Sequence, residues 1–159
     1  MVVRFHPQKD IFGFLESLSM LQQDNLSFHA VLAGPGMDER NHSLVEGIRE
    51  RGLAKSVELR GYLAAPEDVL KTFDLVVLSS SSGEGFPNVI AEAMASGVPC
   101  VATDTGESRR IVGASGWVVR PSDSRSLANA ISRAMHASSA EMRARGEVAR
   151  EHVSVQFSQ

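Results

Sequence analysis

Short apolar runs alternate with longer amphipathic ones along almost the whole chain, and this alternation restricts the fold more than any other property of the sequence. Leu75-Val76-Val77-Leu78 is a continuous apolar run of strand length, with no polar residue to mark a solvent face. Runs of that kind suit parallel strands covered on both sides. Between such runs lie stretches with the helical period. Ile11, Phe12, Phe14, Leu15, Leu18 and Leu21 form one stripe across residues 10–22. Repeated strand–helix units on short links predict an α/β fold: a doubly wound, Rossmann-like parallel sheet with helices on both faces.

Strands are expected at 2–5, 28–33, 57–60, 75–78, 98–103 and 116–119. Helices are expected at 10–22, 38–51, 66–73, 88–96, 124–135 and 140–153, with Gly52 and Gly97 as stops. Residues 1–159 read as a single domain, with no internal repeat, low-complexity tract or linker. The net charge of -3 argues against a general nucleic-acid binder, which shows a basic excess. Local cations can still hold an anion. The one cysteine, Cys100, excludes an internal disulfide and fits a reducing compartment. It lies in an apolar run and is expected to be a buried, inert thiol. The five histidines are scattered without ligand spacing, so no metal site is expected. No apolar stretch is long enough to span a membrane.

In open parallel sheets, ligands bind beyond the carboxyl ends of the strands. That directs attention to the loops after Phe5, Ala33, Arg60, Leu78 and Thr103. The fourth loop is the richest: Ser79-Ser80-Ser81-Ser82-Gly83-Glu84-Gly85-Phe86-Pro87, followed by the helix at 88–96. Glycines permit close backbone approach, and Pro87 suits a helix start. The helix end aims free N–H groups and positive dipole at the loop, which favours phosphate. Glu84 lies at the mouth and Glu92 further along the same helix. Carboxylates accept well from sugar hydroxyls. A plainer reading exists, since loop Gly and Ser are turn formers and an early helical Glu is favoured by the dipole alone. Glu92 decides between them. Its neighbours Val89, Ile90, Ala91, Ala93, Met94 and Ala95 are apolar, so the helix is expected to be buried nearly all round, where an unpartnered carboxylate is costly.

The segment Glu84-Gly85-Phe86-Pro87-Asn88-Val89-Ile90-Ala91-Glu92-Ala93-Met94-Ala95-Ser96-Gly97-Val98-Pro99 resembles the signature of glycosyltransferase family 4, retaining enzymes of two-domain GT-B architecture. The resemblance covers nearly the whole chain, in the order of the family's C-terminal, donor-binding domain. It implies that Glu84 faces the donor sugar as the catalytic-site carboxylate. It implies that the backbone of Gly85, Phe86, Pro87, Asn88 and Val89 holds diphosphate and sugar, and that Glu92 accepts from the nucleotide ribose.

Arg4 and Lys9 flank the first turn. On their own they read as a solvated surface pair. The resemblance assigns them to the diphosphate, whose charge they would stabilise as it leaves. His6 reads as turn packing. Gly34-Pro35-Gly36 is a tight turn that the resemblance places beside the donor. Tyr62 falls where the family meets the nucleobase, and stacking and packing are equally compatible with it. Asp104-Thr105-Gly106-Glu107 occupies a loop that often carries two glycines in the family. It has one here, which puts its contacts in doubt. Trp117 is expected to pack at a strand, and Arg109 and Arg110 to be surface charges.

The resemblance further implies that the N-terminal acceptor domain is absent. The chain opens inside a strand and closes at Phe157-Ser158-Gln159, near where the family's last helices return to the first domain. The expected activity is metal-independent retaining transfer from a nucleoside-diphosphate sugar to an acceptor hydroxyl, with no cofactor. The fragment is expected to bind donor but not to turn over alone. The partners would be the nucleotide sugar and a glycan or lipid-linked acceptor. The expected location is cytoplasmic, and in the full-length protein peripheral to the inner membrane face. The alternatives are a nucleotide-sugar epimerase-like enzyme and a non-catalytic nucleotide-binding module.

Overall fold

The computed structural model describes residues 1–157; the chain end at Ser158 and Gln159 lies outside the described residues. Five short parallel strands alternate with seven helices among those residues. In order they are α1 (Ile11–Gln23), β1 (Ala30–Ala33), α2 (His42–Glu50), β2 (Val57–Gly61), α3 (Pro66–Leu70), β3 (Val76–Leu78), α4 (Asn88–Ala95), β4 (Cys100–Thr103), α5 (Ser108–Val112), β5 (Trp117–Val119), α6 (Ser124–His136) and α7 (Ser139–Phe157).

Strand β1 pairs with β2, and β3-β4-β5 form a second ladder, all parallel. Every residue of β3 and β4 is buried. The continuous apolar runs therefore meant what strand physics implies, a sheet covered on both faces. Helix α6 packs on α1 and touches β4 and β5, while α4 packs on α7 and touches β3 and β4. Leu15, Leu32, Leu78, Ile90, Met94 and Ile111 lie fully enclosed between these layers. Gly146 of α7 faces the end of α4 so closely that a Cβ there would lie 2.0 Å from the Gly97 carbonyl oxygen.

The elements differ from expectation mainly at their ends. The first strand reduces to a single bridge, Val2 to Ala33. Val3 N–H still donates to Ala33, but Phe5 N–H donates to Pro35, which has no N–H to return. The ladder ends there. Helix α2 starts at His42, four residues later than expected, because Asn41 Oδ1 caps Leu44 N–H and Asp38 is held in the preceding turn by Arg40. The helix at Pro66 ends at Leu70, and Thr72 and Phe73 continue it only as i→i+3 turns. Two short elements went unforeseen, the 3₁₀ turn Pro7–Lys9 and α5. The last helix runs to Phe157, so the expected crossing beyond it falls outside the described residues.

Trp117, Arg109, Arg110 and Cys100 take their expected places, whereas His6 is exposed and caps its turn instead of packing in it. Trp117 is 8% exposed, with the Arg145 guanidinium 4.4 Å from its ring centre. His6 Nδ1 accepts from Gln8 N–H and caps the first turn. Arg109 and Arg110 are exposed and pair with Asp104 and Glu107. Cys100 is buried, and desolvation pushes its thiol well above the usual range. Native protein is therefore expected to resist a thiol-specific reagent such as dithionitrobenzoate, with one thiol appearing on denaturation. Rapid titration of the native state would show that β4 is not enclosed as described.

Candidate functional site

The chain builds two parallel ladders, each outward from its first segment. From the Val2 segment it moves to β1 and then β2; it then starts again at β3 and moves to β4 and β5. The loops leaving the Val2 segment and β3, the first members of the two ladders, meet, and their junction corresponds to the switch point at which such folds bind ligands. These two loops are tied to each other. Ser81 N–H donates to the Gln8 carbonyl at 2.8 Å, and Ser79 Oγ donates to the Lys9 carbonyl at 2.7 Å. Gly83 takes a φ of +69°, and a Cβ there would lie 2.7 Å from Gln8 Nε2.

Glu84 lies at the centre of this junction. Its Oε1 accepts from both Lys9 Nζ and Ser80 Oγ. The carboxylate side chain is 8% exposed and the Lys9 side chain 16%. Ser80 is fully buried, and its carbonyl accepts from the buried Thr103 Oγ1 at 2.6 Å. A buried serine, a buried threonine and a lysine from the far side of the switch point therefore fix where Glu84 points. The sequence marked Lys9 and Glu84 separately; nothing local in it shows that they touch, and Ser80 was missed among four consecutive serines.

The loop runs from Glu84 into α4, where Pro87 is the N-cap rather than the first helical residue. No acceptor is found among the described residues for the N–H groups of Gly85, Phe86, Asn88 and Val89. A Cβ on Gly85 would meet no atom within 4 Å, so space is open there. Free donors, a helix start and open space together form an anion cradle. Pro87 is buried, Val89 half-buried and Asn88 exposed; Phe86 is 43% exposed and stacks edge-on against Phe157, 5.4 Å between centres.

Glu92 requires a correction. Helix α4 is not buried all round: Ile90, Ala93 and Met94 are enclosed, whereas Asn88, Glu92, Ala95 and Ser96 are exposed. The alanines hid this amphipathicity, being small enough to occupy either face. Glu92 follows Asn88 by one turn on the open face and so continues the line of the cradle. Its carboxyl is still held above the usual Glu value, first by partial desolvation and then by the charge of Glu67.

Arg4 is exposed and makes no ion pair or side-chain hydrogen bond among the described residues. Beside it, Gly34 takes a φ of +126°, and a Cβ there would lie 2.2 Å from the Val3 carbonyl oxygen; at Gly36 it would lie 2.8 Å from Phe5 Cβ. Both glycines let the second loop close onto the first. Gly34 N–H donates to the Gly61 carbonyl at 2.6 Å, which brings the end of β2 to the same rim. Tyr62 follows Gly61 and is 74% exposed, which rules out a packing role and leaves its ring free to stack. The 104–107 loop packs directly on the Glu84 loop. A Cβ on Gly106 would lie 1.4 Å from the Glu84 carbonyl oxygen, and Glu107 N–H donates to the Gly85 carbonyl at 3.1 Å. The loop's single glycine stands at the point of contact.

All these groups lie at the carboxyl end of the sheet, on an open face. A cavity of about 650 Å³ lies instead beside Leu75 and Val98-Pro99, which precede β3 and β4, with Met142 and Arg143 of α7 on its wall. It is at the opposite end from the switch point. No helix among the described residues is long and apolar enough to cross a membrane.

A family model described as glycosyl transferases group 1 matches residues 1–137. The chain is 36% identical over 152 residues to an exopolysaccharide phosphotransferase of Streptomyces coelicolor, which covers 93% of this chain and 16% of that protein. It is 32% identical over 131 residues to the phosphatidyl-myo-inositol mannosyltransferase of Mycobacterium leprae, covering 79% of this chain and 33% of that one. Among solved structures, Anabaena Alr3699/HepE in complex with UDP superposes with a TM-score of 0.86 at 26% identity, over 98% of this chain and 43% of that one. The same protein has been solved with UDP-glucose. This chain thus spans less than half the length of each of these relatives.

Proposed function

The chain belongs to the glycosyl transferases group 1 family, and on that premise we propose that it is the donor-binding, C-terminal domain of a retaining glycosyltransferase that moves a sugar from a nucleoside-diphosphate sugar to an acceptor hydroxyl. One observation carries the reading. At the switch point, N–H groups at the start of α4 that are unpaired among the described residues adjoin a carboxylate, Glu84, which is reached by a cation from the opposite loop. The UDP and UDP-glucose complexes of the Anabaena neighbour support the ligand class.

In this reading the diphosphate binds along Gly85 to Val89, with Arg4 and Lys9 supplying positive charge as the leaving group departs. The resemblance to glycosyltransferase family 4 further implies that the step needs no metal. Glu84 faces the sugar, Glu92 accepts from the ribose and Tyr62 stacks on the base, with Gly34 and Gly36 shaping the rim between them. The acceptor hydroxyl attacks from the face the diphosphate leaves, and the leaving phosphate takes its proton. The acceptor, a glycan or lipid-linked sugar, is held by a second domain. Closure of that domain over the open face excludes water, so this chain alone binds donor and transfers poorly. Calorimetry with UDP, GDP and ADP sugars tests the reading. Binding of one of them supports it, and failure of all three removes it.

Glu92 gives the reading a pH signature. Its folded pKa is raised, so the fold favours the neutral acid, and the stability this contributes is lost as pH rises from about 4.5 through the raised value. The ribose is better served by the carboxylate. Nucleotide affinity should therefore start to fall, on acidification, while the pH is still above the ordinary Glu value. The Glu92→Gln protein should lack that step and be no less stable near neutrality. An unchanged affinity profile in the variant would remove Glu92 from the site.

A further inference from the structure

Lys9 is not a free cation in this structure. Its ammonium is shared with Glu84, and both side chains are largely buried. Arg4, the other cation of the rim, makes no such pair among the described residues. A diphosphate entering the cradle meets Arg4 directly but must draw Lys9 away from a carboxylate. Glu84 then keeps one donor, Ser80 Oγ, on a buried serine whose backbone is fixed by Thr103. A part-buried carboxylate stripped of its cation is costly unless another donor replaces it.

We propose that Glu84 competes with the diphosphate for Lys9, so that the site discriminates a nucleotide sugar from the nucleoside diphosphate left after transfer. This rests on the donor-site reading above and adds a coupling between its two halves. A nucleotide sugar brings hydroxyls that donate to Glu84 as Lys9 moves to the phosphates. The bare diphosphate brings none, so Glu84 pulls Lys9 back and the product leaves. The carboxylate thus acts in donor selection and in product release.

The test is a double-mutant cycle read by calorimetry, with UDP, GDP, ADP and UDP-glucose as probes. The proteins are the wild type, Glu84→Gln, Lys9→Met and the double variant, each checked for folding by circular dichroism. Glu84→Gln should bind the diphosphate about two- to fivefold more tightly, the upper part of the range for loss of a competing ion pair, without a matching gain for the nucleotide sugar. In the Lys9→Met background the same change should have no effect. Ser80→Ala should act in the other direction, because Glu84 then depends on Lys9 alone and diphosphate affinity falls. No gain in Glu84→Gln would overturn the coupling. So would an equal gain in both backgrounds, which would mean only that a negative charge had been removed. If the wild type binds no nucleotide at all, the donor-site reading itself fails and takes the coupling with it.

Discussion

Arg4→Ala and Lys9→Ala are each expected to weaken nucleoside-diphosphate-sugar binding about ten- to a hundredfold, the loss typical of one charge-assisted hydrogen bond to phosphate. The two variants should differ in every other respect. Arg4 is exposed and unpaired among the described residues, so its removal should leave thermal stability unchanged. Lys9 neutralises Glu84, whose side chain is 8% exposed, so its removal leaves a largely buried carboxylate with Ser80 as its remaining donor. That should lower stability by about 1–3 kcal/mol. Calorimetry and thermal unfolding of the two proteins give both readings. Unaltered binding in Arg4→Ala and Lys9→Ala would separate these residues from the donor and reduce them to a surface cation and a structural ion pair.

The contrast between these two cations shows what the sequence can and cannot carry. The strand at Leu75–Leu78 and the helix closed by Gly97 were legible because local composition dictates them: an apolar run, a Pro near a helix start, a Gly at the end. The main parts of the candidate site could be proposed from the sequence because one contiguous segment holds them. The Lys9–Glu84 pair spans 75 positions and joins loops that leave two separate ladders, so no local pattern encodes it. Ser80 was hidden for the same reason. Its hydroxyl matters because of where the loop folds, and Ser79, Ser81 and Ser82 look identical in sequence. The exposure of Glu92 was misjudged on a different ground. Hydrophobic periodicity weighs alanine as apolar, yet Ala93 is buried and Ala95 exposed. The bridge at Val2 was overextended because a strand's length depends on its partner, and that partner ends in Pro35.

Gly106→Ala should be among the most damaging single substitutions in the molecule, and the neighbouring Gly85→Ala should separate folding from binding. Gly106 has a φ of +54°, and an added methyl would overlap the Glu84 carbonyl oxygen at 1.4 Å, with the Gly85 carbonyl 2.8 Å away. Both obstacles are backbone, so no side chain can swing aside. The 104–107 loop and the 83–86 loop must separate, which breaks the Glu107–Gly85 hydrogen bond and disturbs the carboxylate held by Lys9 and Ser80. A strained backbone together with a lost contact of this kind costs about 2–4 kcal/mol. In a chain of this size that is roughly a 5–15 °C fall in Tm. Gly85 is the control. Its conformation needs no glycine, and a methyl there would meet nothing within 4 Å. Gly85→Ala should therefore melt like the wild type. It should nonetheless bind nucleotide sugar more weakly, because the methyl enters the open space at the mouth of α4 that the diphosphate is proposed to fill. Normal binding by Gly85→Ala would place the phosphates elsewhere. Wild-type stability in Gly106→Ala would mean that the two loops do not meet as described, and the support for Glu84 would have to be sought in other contacts.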